Sequence, residues 1–309
     1  MKNLIVLVFL LSFFYGHTQK SKLSAEHYQN VRKSFRQKMP DHSVAVLFSA
    51  PIRNRANDVD YIYHQDPNFF YLTGWHQPHS VLIIYKDAQT DGSVVYYDKI
   101  YVPERNDYME MWNGKRYDLE EVKELGFDRV AERVDFKSDS QTLDHFDKVM
   151  MFEFKNDIRN QKTYIFKDNV RYKVDDPLDL FDLKAAFREA INFPNDFNPL
   201  AYKAYQRIME VDEENHQAVR DEVAYLVKQD SLLMEDEIIK DFLKDPAQDF
   251  YKEAKMKTAY ALRNINFDME TLSSIMADLR EIKTKSEVDL LKKAVAISVV
   301  GQIEVMKAM

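Results

Sequence analysis

The chain of 309 residues contains no cysteine. That excludes disulfides, thiolate zinc sites, cysteine nucleophiles and a lipid anchored through a thiol. Glycine is almost as scarce, with 6 in the whole chain. Past Gly16 there remain Gly74, Gly92, Gly114, Gly126 and Gly301, and they cannot build a phosphate-binding loop, a dinucleotide fingerprint or a G-x-S-x-G elbow. A long hydrophobic run is also missing. The longest, Leu4 to Tyr15, is interrupted by Ser12 and falls well short of the roughly 20 residues that span a bilayer. No basic patch stands out and the net charge is -8, which argues against nucleic acid and against an anionic membrane surface as partners.

What is present is the composition of a globular protein, 45% hydrophobic and 30% charged. The length suffices for one large core or two ordinary ones. Lys2, the apolar run after it, and the small residues Gly16 and Thr18 have the layout of a secretory signal. Residues 1–18 are therefore predicted to be a cleaved signal peptide. The expected address is exported, periplasmic or secreted, with no membrane attachment after cleavage.

Local patterns divide the rest. Residues 23–39 read as a helix capped by Ser24, with Tyr28, Val31 and Phe35 on one face, ended by Pro40. Ser43–Ala50 reads as a buried strand, and Phe69–Leu72 as a short aromatic strand stopped by Thr73-Gly74. Val81–Tyr85 and Val94–Tyr97 flank Asp91-Gly92, a hairpin signal. Asp118 and Glu121 predict a capping box with Gly126 ending that helix, and Val149–Phe154 reads as a further strand. From Pro199 to about residue 257 the pattern is helical and charged, broken at Pro246, with Tyr202, Tyr205 and Ile208 on one face and Val219, Val223 and Leu226 on another. A last helix is predicted from Ser286, with Asp289 completing a capping box. Its apolar stripe of Val288, Leu291, Val295, Val299, Ile303 and Met306 must bury against something. That stripe is still running at Met309, so the expectation is an incomplete chain.

Chemistry-bearing clusters are few. His76 and His79 flank Pro78, which disfavours a helical metal pair and leaves a loop as the better reading. Glu213 and His216 have the spacing of di-metal helix bundles, but no second E-x-x-H occurs. A solvated helix face is the simpler reading, for them and for Glu235, Asp236 and Glu237. From the residues alone no reaction can be assigned.

The stretch Asn57–Tyr85 goes further. Tyr61, Tyr63, Gln65, Asp66, Phe69, Tyr71, Leu72, Thr73, Gly74, Trp75 and Pro78 stand in the order of a pattern found in the N-terminal domain of the Xaa-Pro aminopeptidases, the aminopeptidase P family. Val102-Pro103-Glu104-Arg105, the Met111–Arg116 segment and Phe127-Asp128 resemble that family's next segments. Leu279–Val288 resembles the start of its catalytic domain.

The resemblance implies an α/β fold: a mixed, six-stranded sheet in residues 19–165. A long α-helical insertion or linker over 166–274 follows, and then the truncated start of a pita-bread domain over 275–309. It implies an exported metallo-aminopeptidase that releases a residue linked to proline, with a prolidase-like dipeptidase as close variant. Its cofactor would be two divalent metal ions, commonly manganese, its substrates proline-containing peptides, and its assembly a homo-oligomer. The family's metal ligands lie downstream of its first pita-bread helix, so no metal ligand and no catalytic residue is assigned here and this chain alone is expected to be inactive. Trp112 matches the family's W-x-G tryptophan, which implies a place next to substrate or at a subunit interface. The alternative is a non-catalytic binding or oligomerisation module pairing with a full-length relative.

Overall fold

The computed structural model describes residues 23–57, 59–105, 107, 110–111, 114–154, 164–167, 170–173, 180–191, 193, 198–244, 250–262 and 265–308. The predicted signal peptide, Trp112 and the Pro246 break lie outside these residues.

The elements run α1 (Ala25–Lys38), β1 (Ser43–Phe48), β2 (Asn54–Ala56), β3 (Val59–Asp60), α2 (Pro67–Thr73), β4 (Val81–Asp91) and β5 (Val94–Val102). Next come α3 (Leu119–Lys123), β6 (Arg129–Glu132), α4 (Phe136–Asp139), β7 (Lys148–Met151), β8 (Tyr164–Lys167), β9 (Val170–Lys173) and α5 (Leu180–Ala190). The second half holds α6 (Pro199–Glu210), α7 (His216–Gln229), α8 (Glu237–Lys244), α9 (Phe250–Leu262), β10 (Phe267–Asp268), α10 (Thr271–Glu281) and α11 (Lys285–Ala308).

The main sheet is mixed and six-stranded, in the order β10-β7-β1-β4-β5-β6. β1 pairs antiparallel with β4 and parallel with β7, and β10 extends β7 in parallel. β1, β7 and the Val81–Tyr85 half of β4 are largely apolar on both faces, as expected where helices cover both sides. One layer packs Phe35, Leu72, Trp75, Leu82 and Ile100 with Leu272 and Met276 of α10. The other packs Val46, Ile83, Tyr101 and Phe136 with Phe187 of α5 and Phe267 of β10. The sheet is therefore completed by residues 267–276, more than a hundred positions beyond β7. A third apolar cluster, with Ile208, Val223, Leu233 and Phe242, holds α6 to α9 together as a small bundle.

Two local readings need correction. Phe69–Leu72 is not a strand but the body of α2. Asp66 caps it, its Oδ1 accepting from the N–H groups of Asn68 and Phe69 at 2.9 Å. Pro67 supplies a pre-set first-turn φ. Gly74, at φ 67°, closes it in the left-handed conformation. Caps outweighed the β-preference of the aromatic run. At the last helix the capping partners are Thr284 and Glu287, two residues before the predicted Ser286 and Asp289. The Thr284 N–H donates to Glu287 Oε2 at 2.6 Å, and the Glu287 N–H reaches Thr284 Oγ1 at 3.4 Å. The Asp118–Glu121 box forms as read from the sequence.

Candidate functional site

The family-like order of side chains in Asn57–Tyr85 becomes a set of braces on the carboxyl edge of the sheet. Gln65 is the centre. Its Oε1 accepts from Ala50 N–H at 2.8 Å and Asp66 N–H at 2.9 Å. Its Nε2 donates to the carbonyls of Trp75 and Gln77, both at 3.2 Å. One amide thus ties the loop after β1, the start of α2 and the loop after α2. Tyr63 donates its hydroxyl to the Ala50 carbonyl at 3.2 Å, and burial pushes that phenol's pKa up. Thr73 Oγ1 donates to Phe69 O at 2.7 Å and accepts from the Trp75 N–H at 3.0 Å. The buried Trp75 ring donates from Nε1 to Ser80 Oγ at 2.8 Å. A Cβ at Gly74 would stand 2.4 Å from the Tyr28 ring, so only glycine fits there.

Behind these braces lies a buried ion pair. Arg32 Nε donates to Asp98 Oδ2 at 2.8 Å, and its Nη1 donates to the Leu72 carbonyl at 3.1 Å. Arg32 Nη2 also donates to the Gly126 carbonyl, and the guanidinium lies 4.4 Å from the Phe127 ring centre. Burial pushes the Asp98 carboxyl up, and the Arg32 charge opposes that rise. Asp98 also accepts from the Asp128 N–H at 3.0 Å. The second matched segment braces likewise, Glu104 accepting from Arg133 Nη2 and from the Val134 N–H, both at 3.0 Å.

β1, β7 and β10 run in parallel, and the loops leaving their carboxyl ends open on a groove of about 1530 Å³. Ligands of open α/β sheets bind at this edge. Tyr61, Tyr63 and Asp66 form one wall, and Lys203 and Gln206 of α6 form the other. Gln206 Oε1 is buried there without a hydrogen-bond partner. A second cavity of about 640 Å³ lies between α2 and the α10–α11 turn, with Tyr71, Arg280 and Glu287 on its rim. Burial pushes the Tyr71 phenol up to about 12.

The other candidates are spent on local structure. His79 Nδ1 accepts from the Leu180 N–H at 3.3 Å, and the His76 ring lies against Phe70 at a 45° tilt with ring centres 4.4 Å apart. His216 Nδ1 lies 3.1 Å from the Glu213 carbonyl, and Glu213 accepts from the Tyr251 hydroxyl at 3.3 Å. Asp236 caps α8 through the Ile239 N–H at 3.0 Å. Among the described residues, no three His, Asp or Glu side chains converge as a metal site would require. The described residues therefore do not fit the two-metal centre that the resemblance implies, and no step is derived through one. Trp112 lies outside the described residues.

Pattern reading missed the Arg32–Asp98 pair and the groove wall from α6. A charged residue in the apolar run Val94–Val102 was the available signal for Asp98. Nothing local marks Lys203 or Gln206.

Residues 28–152 match the family described as aminopeptidase P, N-terminal domain. The chain is 38% identical over 95 residues to intermediate cleaving peptidase 55 of Schizosaccharomyces pombe, covering 31% of this chain and 19% of that protein. It is 32% identical over 111 residues to Xaa-Pro aminopeptidase of Escherichia coli, covering 36% of this chain and 24% of that protein. Among solved structures, Pseudomonas aeruginosa aminopeptidase PepP is similar at 26% identity and a TM-score of 0.39, over 44% of this chain and 30% of that one. This chain thus spans a minor part of the length of each relative. Over residues 28–152 it carries the N-terminal domain of the aminopeptidase P family.

Proposed function

We propose that this chain serves an exported Xaa-Pro metallo-aminopeptidase as its N-terminal, non-catalytic domain. The observation that carries the reading is the match over residues 28–152 together with the brace network its side chains build. In this reading the intact enzyme releases the residue preceding proline from peptides. Two divalent metals, manganese by the resemblance, are held by residues other than those described. The acids and histidines described here support that, since His79, Asp66, Asp236 and Asp268 are engaged by backbone N–H groups. The chain purified with Mn²⁺ is expected to leave Xaa-Pro peptides uncut, and metal-dependent turnover by this chain alone would overturn the proposal. Export is supported by the apolar run after Lys2, and the N-terminus of the mature protein tests it: the expected start is Gln19. Trp112 is proposed to lie near substrate or a subunit boundary, as the resemblance implies. Its indole fluorescence should then shift when a full-length relative is added.

A second reading is favoured by α11, where Leu291, Val295, Val299 and Ile303 are all exposed. Such a face suits a binding or oligomerisation module. Light scattering on the purified chain separates the two: a stable, monodisperse species supports the module, and aggregation through the exposed face of α11 supports the first reading.

A further inference from the structure

Helix α11 has no buried residue, so packing along its length does not set its direction. The connection that leads into it is held from both sides, at the last turn of α10 and at the first turn of α11. Tyr71 donates its hydroxyl to the Leu279 carbonyl at 2.8 Å. Arg280 Nη1 donates to Asn68 Oδ1 at 2.7 Å. Ser286 Oγ lies 3.2 Å from His27 Nδ1. The Thr284–Glu287 capping box keeps the intervening backbone from unwinding. Two of these ties hold the last turn of α10 and the third holds the first turn of α11, so the short connection between the two helices is fixed at both ends. The ties come from two elements, α1 and α2, that are themselves locked in the core through Tyr28, Phe35, Phe69 and Leu72.

We propose that His27, Asn68 and Tyr71 are positioning residues, forming a latch that sets the angle at which α11 leaves the α/β domain. Two of them sit in the aromatic stretch whose other members brace the loops, so that stretch has a second task. The inference stands on these contacts and is independent of the peptidase reading. Whatever α11 engages is presented to the domain at the angle the latch fixes.

The chain has no cysteine, so spin labels on Lys33→Cys and Gln302→Cys report the angle without background. Both positions are exposed, one on α1 and one on α11. Pulsed electron spin resonance should give one narrow distance distribution. Adding Tyr71→Phe with Arg280→Ala should widen it at least twofold. Tyr205→Phe, which removes a 2.5 Å hydroxyl bond to Asp236 inside the helical bundle, should leave the width unchanged. A broad distribution in the labelled parent, or an unchanged width in the double variant, overturns the latch. Should the double variant fail to fold, Tyr71→Phe alone, which deletes one hydroxyl, decides by the same criterion.

Discussion

Helices α1 and α11 look alike as patterns and end in opposite situations. Each starts at a hydroxyl cap, Ser24 in one and Thr284 in the other, and each carries an apolar stripe. The stripe of α1 is buried: Tyr28, Val31 and Phe35 lie in the sheet's core, with Arg32 sealed among them. The stripe of α11 is exposed from Leu291 to Met306. A pattern therefore specifies that a face is apolar, while the partner for that face comes from elsewhere in the fold. The same contrast separates the small α6–α9 bundle, which closes its own core, from α5 and α10, which close the sheet's.

The largest expected break of the comparison is at Arg32. Arg32→Ala leaves Asp98 buried and unpaired, a loss of about 3–5 kcal/mol. Denaturant unfolding should show it, and replacing both partners by apolar residues should recover much of the loss. Next is Gly74→Ala. The left-handed backbone and the Tyr28 ring at 2.4 Å both oppose a side chain, so about 2–3 kcal/mol should go. Trimming the ring with Tyr28→Ala should relieve the clash part of that loss and leave the backbone part.

A third test uses acid. Burial raises the Asp268 carboxyl, but the Thr271 hydroxyl and N–H, Lys148 and the Glu270 N–H bind its charged form, so its pKa is held below the usual carboxylate range. A depressed folded-state pKa stabilises above the unfolded value and is lost as pH falls through the folded one. The fold should therefore lose stability below about pH 4, where unfolded aspartates take up protons. Asp268→Asn should flatten that part of the pH–stability curve. The smallest effect sharpens the contrast: Leu291→Ser and Val295→Ser on α11 should each change stability by less than about 0.5 kcal/mol. The matching change Val31→Ser on α1 should register as a core mutation in the same melt.

Much of the α/β domain was legible in residues. Ser24 capped its helix, the Asp91-Gly92 turn joined β4 to β5, and Asp118 with Glu121 formed their box. The failure at Phe69–Leu72 is instructive, because the caps at Asp66 and Gly74 stood in plain view beside the aromatic run. Four aromatic and branched residues argued for a strand through their own preference, whereas the ends decided for a helix through backbone hydrogen bonds. The family resemblance was legible for the same reason that the braces are: Gln65, Thr73 and Gly74 each answer a backbone need that other side chains would not meet.

The amino-acid order by itself determined the helices with caps, the hairpin, the apolar stripes and the absence of any thiol chemistry. Each rests on neighbours within a few residues, where spacing alone decides who meets whom. The sixth strand at Phe267, the partner of Arg32 at Asp98, the groove wall from α6 and the three ties around the α10–α11 connection were decided only by the tertiary structure. The side-chain contacts among them join residues 66 to 259 positions apart. At such separations, pairing is chosen by which surfaces the whole fold brings together.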